Sequence, residues 1–379
     1  MNNEYFTTQI ITYMGNKRKL LSQIEKEVDK IQVELGKNAL VIGDGFSGSG
    51  IVSRLLKTKA EQLYVNDIAG YSKTLNECYL SSPSNQCLKK INEYIEHANE
   101  LLLKEKKITN PWISKHWAPS NEKIQKGERA YFTHENGKNI DILRDYINSL
   151  PKKYQSFLLA PLLVQSSIHN NTNGQFSAYY KDGEVGAYGG KNKVDTKRIT
   201  KSIKLMEPIF HNNDTKIHIS QMDTNEWIKS VSSKKKFDVV YYDPPYNKHP
   251  YSIYYFLLDI INDWDKTIEI PDSNRGQPLN WFTSDYNSKK HAKTALEDLI
   301  QYTNSNYIIL SYNDGGIIPI PELDELLKKF ASNVEKIPIT HKTYNRLKGI
   351  SNYKREKEYK PVKEFLYVIK KNCNYFFNS

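Results

Sequence analysis

The chain has 379 residues, enough for one large buried core or for one core with an inserted module. Its 54 Lys and Arg against 43 Asp and Glu leave a formal charge of +11, an excess that favours a polyanionic partner because cations neutralise phosphates. With no long apolar run and no basic-then-apolar start, neither a membrane span nor a signal peptide is expected.

From the N-terminus, a short Thr/Ile segment leads through the turn Met14-Gly15-Asn16-Lys17 to a predicted helix from about Lys19 to Leu35. Leu20, Leu21, Ile24, Val28 and Ile31 recur there at helical spacing. A strand at Ala39-Leu40-Val41-Ile42 then runs into Gly43-Asp44-Gly45-Phe46-Ser47-Gly48-Ser49-Gly50. Glycines let such a loop turn sharply and let a ligand approach its backbone, and the helix that follows offers free N–H groups. The spacing is not the GxGxxG of a dinucleotide fold, and Phe46 intrudes. Read alone, the loop is either a seat for an adenosine-type cofactor or a plain tight turn. A second strand, Gln62-Leu63-Tyr64-Val65, ends at Asn66-Asp67, where an acid is placed to bind ribose hydroxyls or to cap a helix. Strand, glycine loop, helix, strand and acid together make a nucleotide-binding half-fold.

Residues 72–205 are helical at first and then polar, with clusters such as Asn170-Asn171-Thr172-Asn173-Gly174. The sheet resumes at Lys216-Ile217-His218-Ile219, and Asp223 beyond it suits either an adenine amino group or a helix cap. Next comes Phe237-Asp238-Val239-Val240-Tyr241-Tyr242, a buried strand ending in Asp243-Pro244-Pro245-Tyr246. Further strands are expected at Tyr307 to Leu310 and Phe365 to Ile369. Basic stretches recur at Lys191 to Lys204, Lys229 to Lys236 and Lys342 to Lys363, the last interleaved with Tyr344, Tyr353 and Tyr359. Cations among aromatics suit bases and phosphates. The cysteines Cys78, Cys87 and Cys373 form no CxxC and no metal pattern with the histidines, so no metal is expected and a reducing cytoplasm fits. The organisation reads as one α/β domain with an insertion of over a hundred residues.

The tetrad carries the chemistry. An exocyclic amine on a planar base attacks poorly, since its lone pair is delocalised into the ring. Asp243 can accept one of its N–H groups and the carbonyl of Pro244 the other, while Pro244 and Pro245 keep these acceptors aimed. Tyr246 offers a flat face for a flipped-out base. A lone Asp-Pro-Pro-Tyr is also compatible with a simple turn. It is the order of the strand-end features ahead of it that makes methyl transfer the better reading.

Together these residues resemble the Dam-type family of adenine-specific DNA methyltransferases. Thr12 to Leu21 is similar to the family's N-terminal motif, in which an aromatic residue and a lysine, here Tyr13 and Lys17, contact S-adenosylmethionine. Asp44 to Gly50 is similar to its glycine-rich cofactor motif, so Asp44, Phe46, Gly48 and Gly50 are implied cofactor residues, and Asn66-Asp67-Ile68 carries the ribose-binding acid. Asp223 and Asp243 complete that set, with Asp243 to Tyr246 as the catalytic tetrad. Asn173-Gly174-Gln175-Phe176 is similar to a family stretch near DNA, Leu310 to Asn313 to a later motif, and Val362 to Val368 to its closing strand. Two departures stand out: Asp44-Gly45 replaces a usual glutamate-proline, and the tetrad continues as Asn247-Lys248-His249-Pro250-Tyr251, as in restriction-modification relatives.

The resemblance implies a Rossmann-like class I S-adenosylmethionine-dependent methyltransferase fold. Residues 1–80 are then the cofactor-binding part, 81–205 an inserted target-recognition region and 206–379 the catalytic part. It implies a site-specific enzyme acting on adenine in double-stranded DNA, cytoplasmic and nucleoid-associated, with a cognate restriction endonuclease acting separately. Candidate DNA contacts are Asn173, Gly174, Phe176, Tyr179, Lys181 and Lys248, with Tyr179, Tyr180 or His169 weighed as fillers of the flipped-base gap or as ordinary core. RNA adenine methylation, cytosine-N4 methylation and a non-catalytic nucleic-acid-binding module remain the alternatives at this point.

Overall fold

Strand β1 (Leu40–Asp44) is followed by β2 (Ala60–Asn66), the short hairpin β3 (Lys181–Asp182) and β4 (Val185–Gly186), then β5 (Lys216–Ser220) and β6 (Phe237–Tyr242). The last three are β7 (Ser305–Asn313), β8 (Ala331–Ile339) and β9 (Glu364–Lys371). This is the arrangement in a computed structural model, which describes residues 3–13, 15, 17–104, 108–248, 250–339 and 363–372. Met14, Asn16, His249, Cys373 and residues 342–362 of the last basic stretch, with Tyr344, Tyr353 and Tyr359, lie outside the described residues.

Seven strands make one sheet in the order β5-β2-β1-β6-β7-β9-β8. Those from β5 to β7 in this order are parallel, whereas β9 runs antiparallel to both β7 and β8. Every residue of β6 is buried, because helices cover both faces. On one face, Ile24, Val28 and Ile31 of the helix Leu21–Glu34 pack with Ile42, Val239 and Tyr241. On the other, the helices Thr224–Ser232, Ala292–Tyr302 and Ile320–Phe330 cover Val240 and Tyr242. This is the Rossmann-like class I fold that the resemblance implies.

Strand order reverses between β1 and β6. A crevice opens at such a switch point, at the carboxyl ends of the strands. There the glycine loop after β1 and the tetrad after β6 become neighbours: Asp44 is in register with Tyr241, and the Gly45 N–H donates to the Tyr241 carbonyl at 3.1 Å.

The region between β2 and β5 contributes the helices Asn85–Leu101, His134–Ser149 and Lys152–Ile168. Ser84 and Thr133 cap the first two by accepting from the Cys87 and Asn136 N–H groups. These helices share an apolar core with the helices Gly70–Tyr79 and Phe256–Asp263. Buried Arg144 crosses that core, donating to the Ile261 carbonyl at 2.6 Å and the Asn262 carbonyl at 2.9 Å.

Two expectations need adjusting. The first helix begins as a 3₁₀ turn, Lys17–Leu20, before continuing as Leu21–Glu34. Strand β8 was not expected at all. Its alternation is diluted by Ser, Asn, Glu, Lys and Pro338, and the sheet edge tolerates all of these because one side of the strand stays unpaired. Among the described residues, no helix is long and apolar enough to cross a membrane, and no group of three His, Cys, Asp or Glu is spaced to hold a metal ion.

Candidate active site

A cavity of about 460 Å³ lies over the carboxyl ends of β1, β2, β5 and β6. Its floor comes from Phe46 and Gly48 after β1, Asp67 after β2, Asp223 after β5, and Asp243 and Pro245 after β6. The glycine loop is shaped by what stands against it. A Cβ on Gly45 would lie 2.6 Å from the buried Tyr242 ring, and one on Gly48, whose φ is +50°, would lie 3.1 Å from Tyr13. The departure at Gly45 is thereby explained: the site needs both an N–H for Tyr241 and no side chain against Tyr242. Gly45→Ala should lower stability by about 1–3 kcal/mol through this overlap, read as a reduced Tm.

Asp67 ties the loops together. Its Oδ2 accepts from the Gly48 N–H at 2.7 Å and its Oδ1 from the Ala69 N–H at 2.9 Å, while burial raises its pKa. Tyr13 sits in a stack, with its ring 4.7 Å from Tyr255 and 5.1 Å from Tyr251. Asp223 lines the cavity and also caps the helix Thr224–Ser232, its Oδ1 accepting from Asn225 at 2.9 Å and Glu226 at 3.3 Å. Asp44 is fully buried beneath the loop and does not line the cavity. Ser53 donates to its Oδ2 at 2.5 Å, its Oδ1 has no partner, and burial pushes its pKa up to about 7. Gly50 is the residue before the helix Ile51–Lys57, at its N-cap.

The centre of charge is Lys17, 4 % exposed. The 3₁₀ turn delivers its Nζ to 3.2 Å from Asp243 Oδ1 and 2.5 Å from Glu364 Oε1, and 5.6 Å from the centroid of the Tyr246 ring. Burial disfavours the ammonium, but Asp243, Tyr246 and Glu364 hold its pKa well above the usual lysine value. Burial acts on Asp243 as well and raises its carboxyl to about 6, Lys17 opposing the rise and Glu364 adding to it. Desolvation therefore outweighs the ion pair at Asp243. Tyr246 packs edge-on against Tyr312 at 5.8 Å and does not line the cavity.

The candidate DNA contacts scatter. Phe176 is buried against Phe256 and Tyr131, and Tyr179 is buried against Tyr131 while its hydroxyl donates to the Glu128 carbonyl. Their positions are those of core side chains, because they close the apolar interior of the inserted region. His169 is buried too, with Nδ1 at 2.7 Å from the Arg198 carbonyl. Asn173 is half-buried, Gly174 backs onto Thr12, and Lys181 opens β3 with its Nζ 5.0 Å from the Tyr179 ring centroid. Lys248 is exposed two residues beyond the tetrad.

Sequence reasoning missed Glu364, Tyr251, Tyr255 and the pair Trp281 and Phe282. The last two are 41 % and 45 % exposed on the cavity rim, where the Phe282 carbonyl accepts from Ser252 Oγ at 2.6 Å. Adjacent aromatics in a polar loop were the only signal for that pair. Glu364 carries none, since only the antiparallel course of β9 brings its first residue to the edge where the parallel strands end.

A model of the family described as D12 class N6 adenine-specific DNA methyltransferase matches residues 13–272. The chain is 28 % identical over 367 residues to the type II methyltransferase M.NlaIII of Neisseria lactamica, covering 95 % of this chain and 99 % of that protein. It is 29 % identical over 370 residues to the type II methyltransferase M.FokI of Planomicrobium okeanokoites, covering 95 % of this chain and 52 % of that one. The match to the modification methylase StsI of Streptococcus sanguinis is 27 % over 342 residues, covering 86 % and 48 %. The chain thus spans about half the length of the last two relatives and nearly all of the first.

Proposed function

The chain belongs to the D12 class N6 adenine-specific DNA methyltransferase family, and from that premise we propose which of its residues carry the transfer. It is an adenine-specific DNA methyltransferase of the restriction-modification kind. The donor we assign is S-adenosylmethionine, and the cavity fits it. Asp67 supplies acceptors for ribose hydroxyls, Asp223 for an adenine amino group, and Phe46 and Ile68 apolar surface for a purine. The Gly48 backbone, where a Cβ would crowd Tyr13 at 3.1 Å, suits close approach of the ligand. Tyr13 and Asp243 complete the seat, with Lys17 beside it; Asp44 and Gly50 act indirectly, by shaping the loop from below. When bound, the cofactor supplies a methyl group already activated on a sulfonium.

The protein's own part is to hold and polarise the amine. Asp243 accepts one N–H of the adenine 6-amino group and the Pro244 carbonyl accepts the other, returning lone-pair density to the nitrogen. The N6–C bond forms as the donor's S–C bond breaks, and the proton that N6 sheds passes by way of the Asp243 carboxylate to solvent. A carboxylate beside the nitrogen stabilises the charge that develops there. Such chemistry requires the adenine to leave the stack, and Tyr246, two residues beyond Pro244, is the aromatic face we assign to receive it.

Residues 81–205 are assigned to target recognition, with 1–80 and 206–379 forming the cofactor and catalytic parts. The burial of Phe176 and Tyr179 counts against them as direct DNA contacts, and we assign that role to Asn173, Gly174, Lys181 and Lys248. A separately acting cognate endonuclease and a cytoplasmic, nucleoid-associated location follow from the same reading.

The observation that carries the proposal is Asp243 at the cavity floor, anchored by a buried lysine. The purified protein should transfer radiolabelled methyl from S-adenosylmethionine to duplex DNA, with N6-methyladenine as the product after digestion. Transfer to RNA alone, or no binding of S-adenosylmethionine by calorimetry, would sink it. Sequencing DNA from cells expressing the protein, with modified-base detection, should give one recognition site.

A further inference from the structure

We propose that Glu364 is a positioning residue of the methyl-transfer centre, holding the Lys17 ammonium so that Asp243 stays available to the adenine amino group. The inference rests on the assignment of Asp243 above. Two carboxylates compete for one buried cation, and the contact to Glu364, 2.5 Å, is shorter than that to Asp243, 3.2 Å. Lys17 makes a hydrogen bond to Glu364, whereas Asp243 Oδ1 is ion-paired to the same ammonium at 3.2 Å without hydrogen-bond geometry. An aspartate paired with Lys17 alone would be held closer to the ammonium, which would weaken it as an acceptor for the amine although lone pairs remain. With Glu364 taking the shorter bond, the Asp243 carboxylate, which lines the cavity, keeps more of its charge for the amine.

Charge points the same way. Lys17, Asp243 and Glu364 sum to one net negative charge, which favours a nitrogen that becomes cationic as it is methylated. Placement is topological, because β9 is antiparallel and its first residue, paired with Asn313 of β7 and Ile339 of β8, lies at the catalytic edge. Ser311 of β7 donates to the same Oε1 at 3.5 Å, which helps to fix the carboxylate.

The groups facing Asp243 are Lys17 from the 3₁₀ turn, Glu364 from β9, Tyr241 and Asp44 from β6 and β1, and Tyr246 and Tyr251 from the segment after the tetrad. Glu364→Gln removes one negative charge from this set and turns Lys17 towards Asp243. Both changes favour the ionised aspartate. The variant should therefore lose kcat by about ten-fold, less than loss of a direct group, while its KM for S-adenosylmethionine stays put. The acid limb of its kcat profile should move to lower pH. Carbon-13 titration of labelled aspartates in the protein without ligands, with Asp243→Asn identifying the resonance, should show the same downward move.

A thermal cycle supplies a readout independent of activity. Glu364→Gln should lower or leave the wild-type Tm but raise that of Lys17→Met, where two half-buried carboxylates face no cation. Wild-type kcat with an unmoved acid limb would overturn the inference, as would a lower Tm in both backgrounds. If wild-type protein fails to methylate adenine in duplex DNA, the parent assignment fails instead, and the titration and Tm cycle still judge Glu364.

Discussion

Asp243→Ala should abolish methyl transfer, lowering kcat by at least about 10²–10³-fold, the usual consequence of removing one preorganised polar group from a developing charge. Binding of S-adenosylmethionine should persist, because Asp67 and Asp223 hold their places through backbone bonds to Gly48, Ala69, Asn225 and Glu226. Single-turnover transfer of radiolabelled methyl, with calorimetry for the cofactor, separates the two effects. Full activity in the variant would reject the mechanism. The same carboxylate sets a pH dependence. Its pKa is raised by burial to about 6, and only the ionised form accepts without donating. Activity should hold above that value and fall as pH drops through it, with the limb absent in a slow Asp243→Asn enzyme.

Lys17→Met should be the most destabilising single change at the site, costing about 3–5 kcal/mol at neutral pH, because removing one partner leaves buried charge uncompensated. Asp243 and Glu364 are only 20 % and 25 % exposed, so water replaces little of the lost interaction. Without the cation, the folded-state pKa of Asp243 rises further above its ordinary 3.8. A carboxyl raised on folding stabilises the protein at low pH and loses that contribution as pH rises through the folded value. The Tm gap between Lys17→Met and wild type should therefore be small near pH 5 and widest near pH 8. A gap independent of pH would mean that Lys17 serves packing rather than charge.

The legible part of this protein was local. The run from Phe237 to Tyr242 announces a strand buried on both faces, and an acid, two prolines and an aromatic residue directly after it can be placed at a strand end without further help. Gly45 and Gly48 likewise marked backbone under steric demand, although the partners that impose it, Tyr242 and Tyr13, lie far away in the chain. Phe176 and Tyr179 misled for the opposite reason. Aromatics in a polar, glycine-rich stretch look presented to a ligand, but Tyr131 and Phe256, distant in sequence, bury them.

The sequence by itself therefore determined the chemistry on offer: a doubly wound sheet, a glycine loop, a ribose-type acid and a pair of acceptors for an exocyclic amine. Residue type and spacing suffice for that, since each motif spans a strand end and the few residues beyond it. Only the tertiary structure decided how the charges are shared. Lys17 and Glu364 are separated by nearly the whole chain, and it is the adjacency of β1 to β6, with an antiparallel β9 beyond β7, that brings both to Asp243. Burial there sets the aspartate's pKa, and burial is a property of what surrounds a residue rather than of its neighbours in sequence.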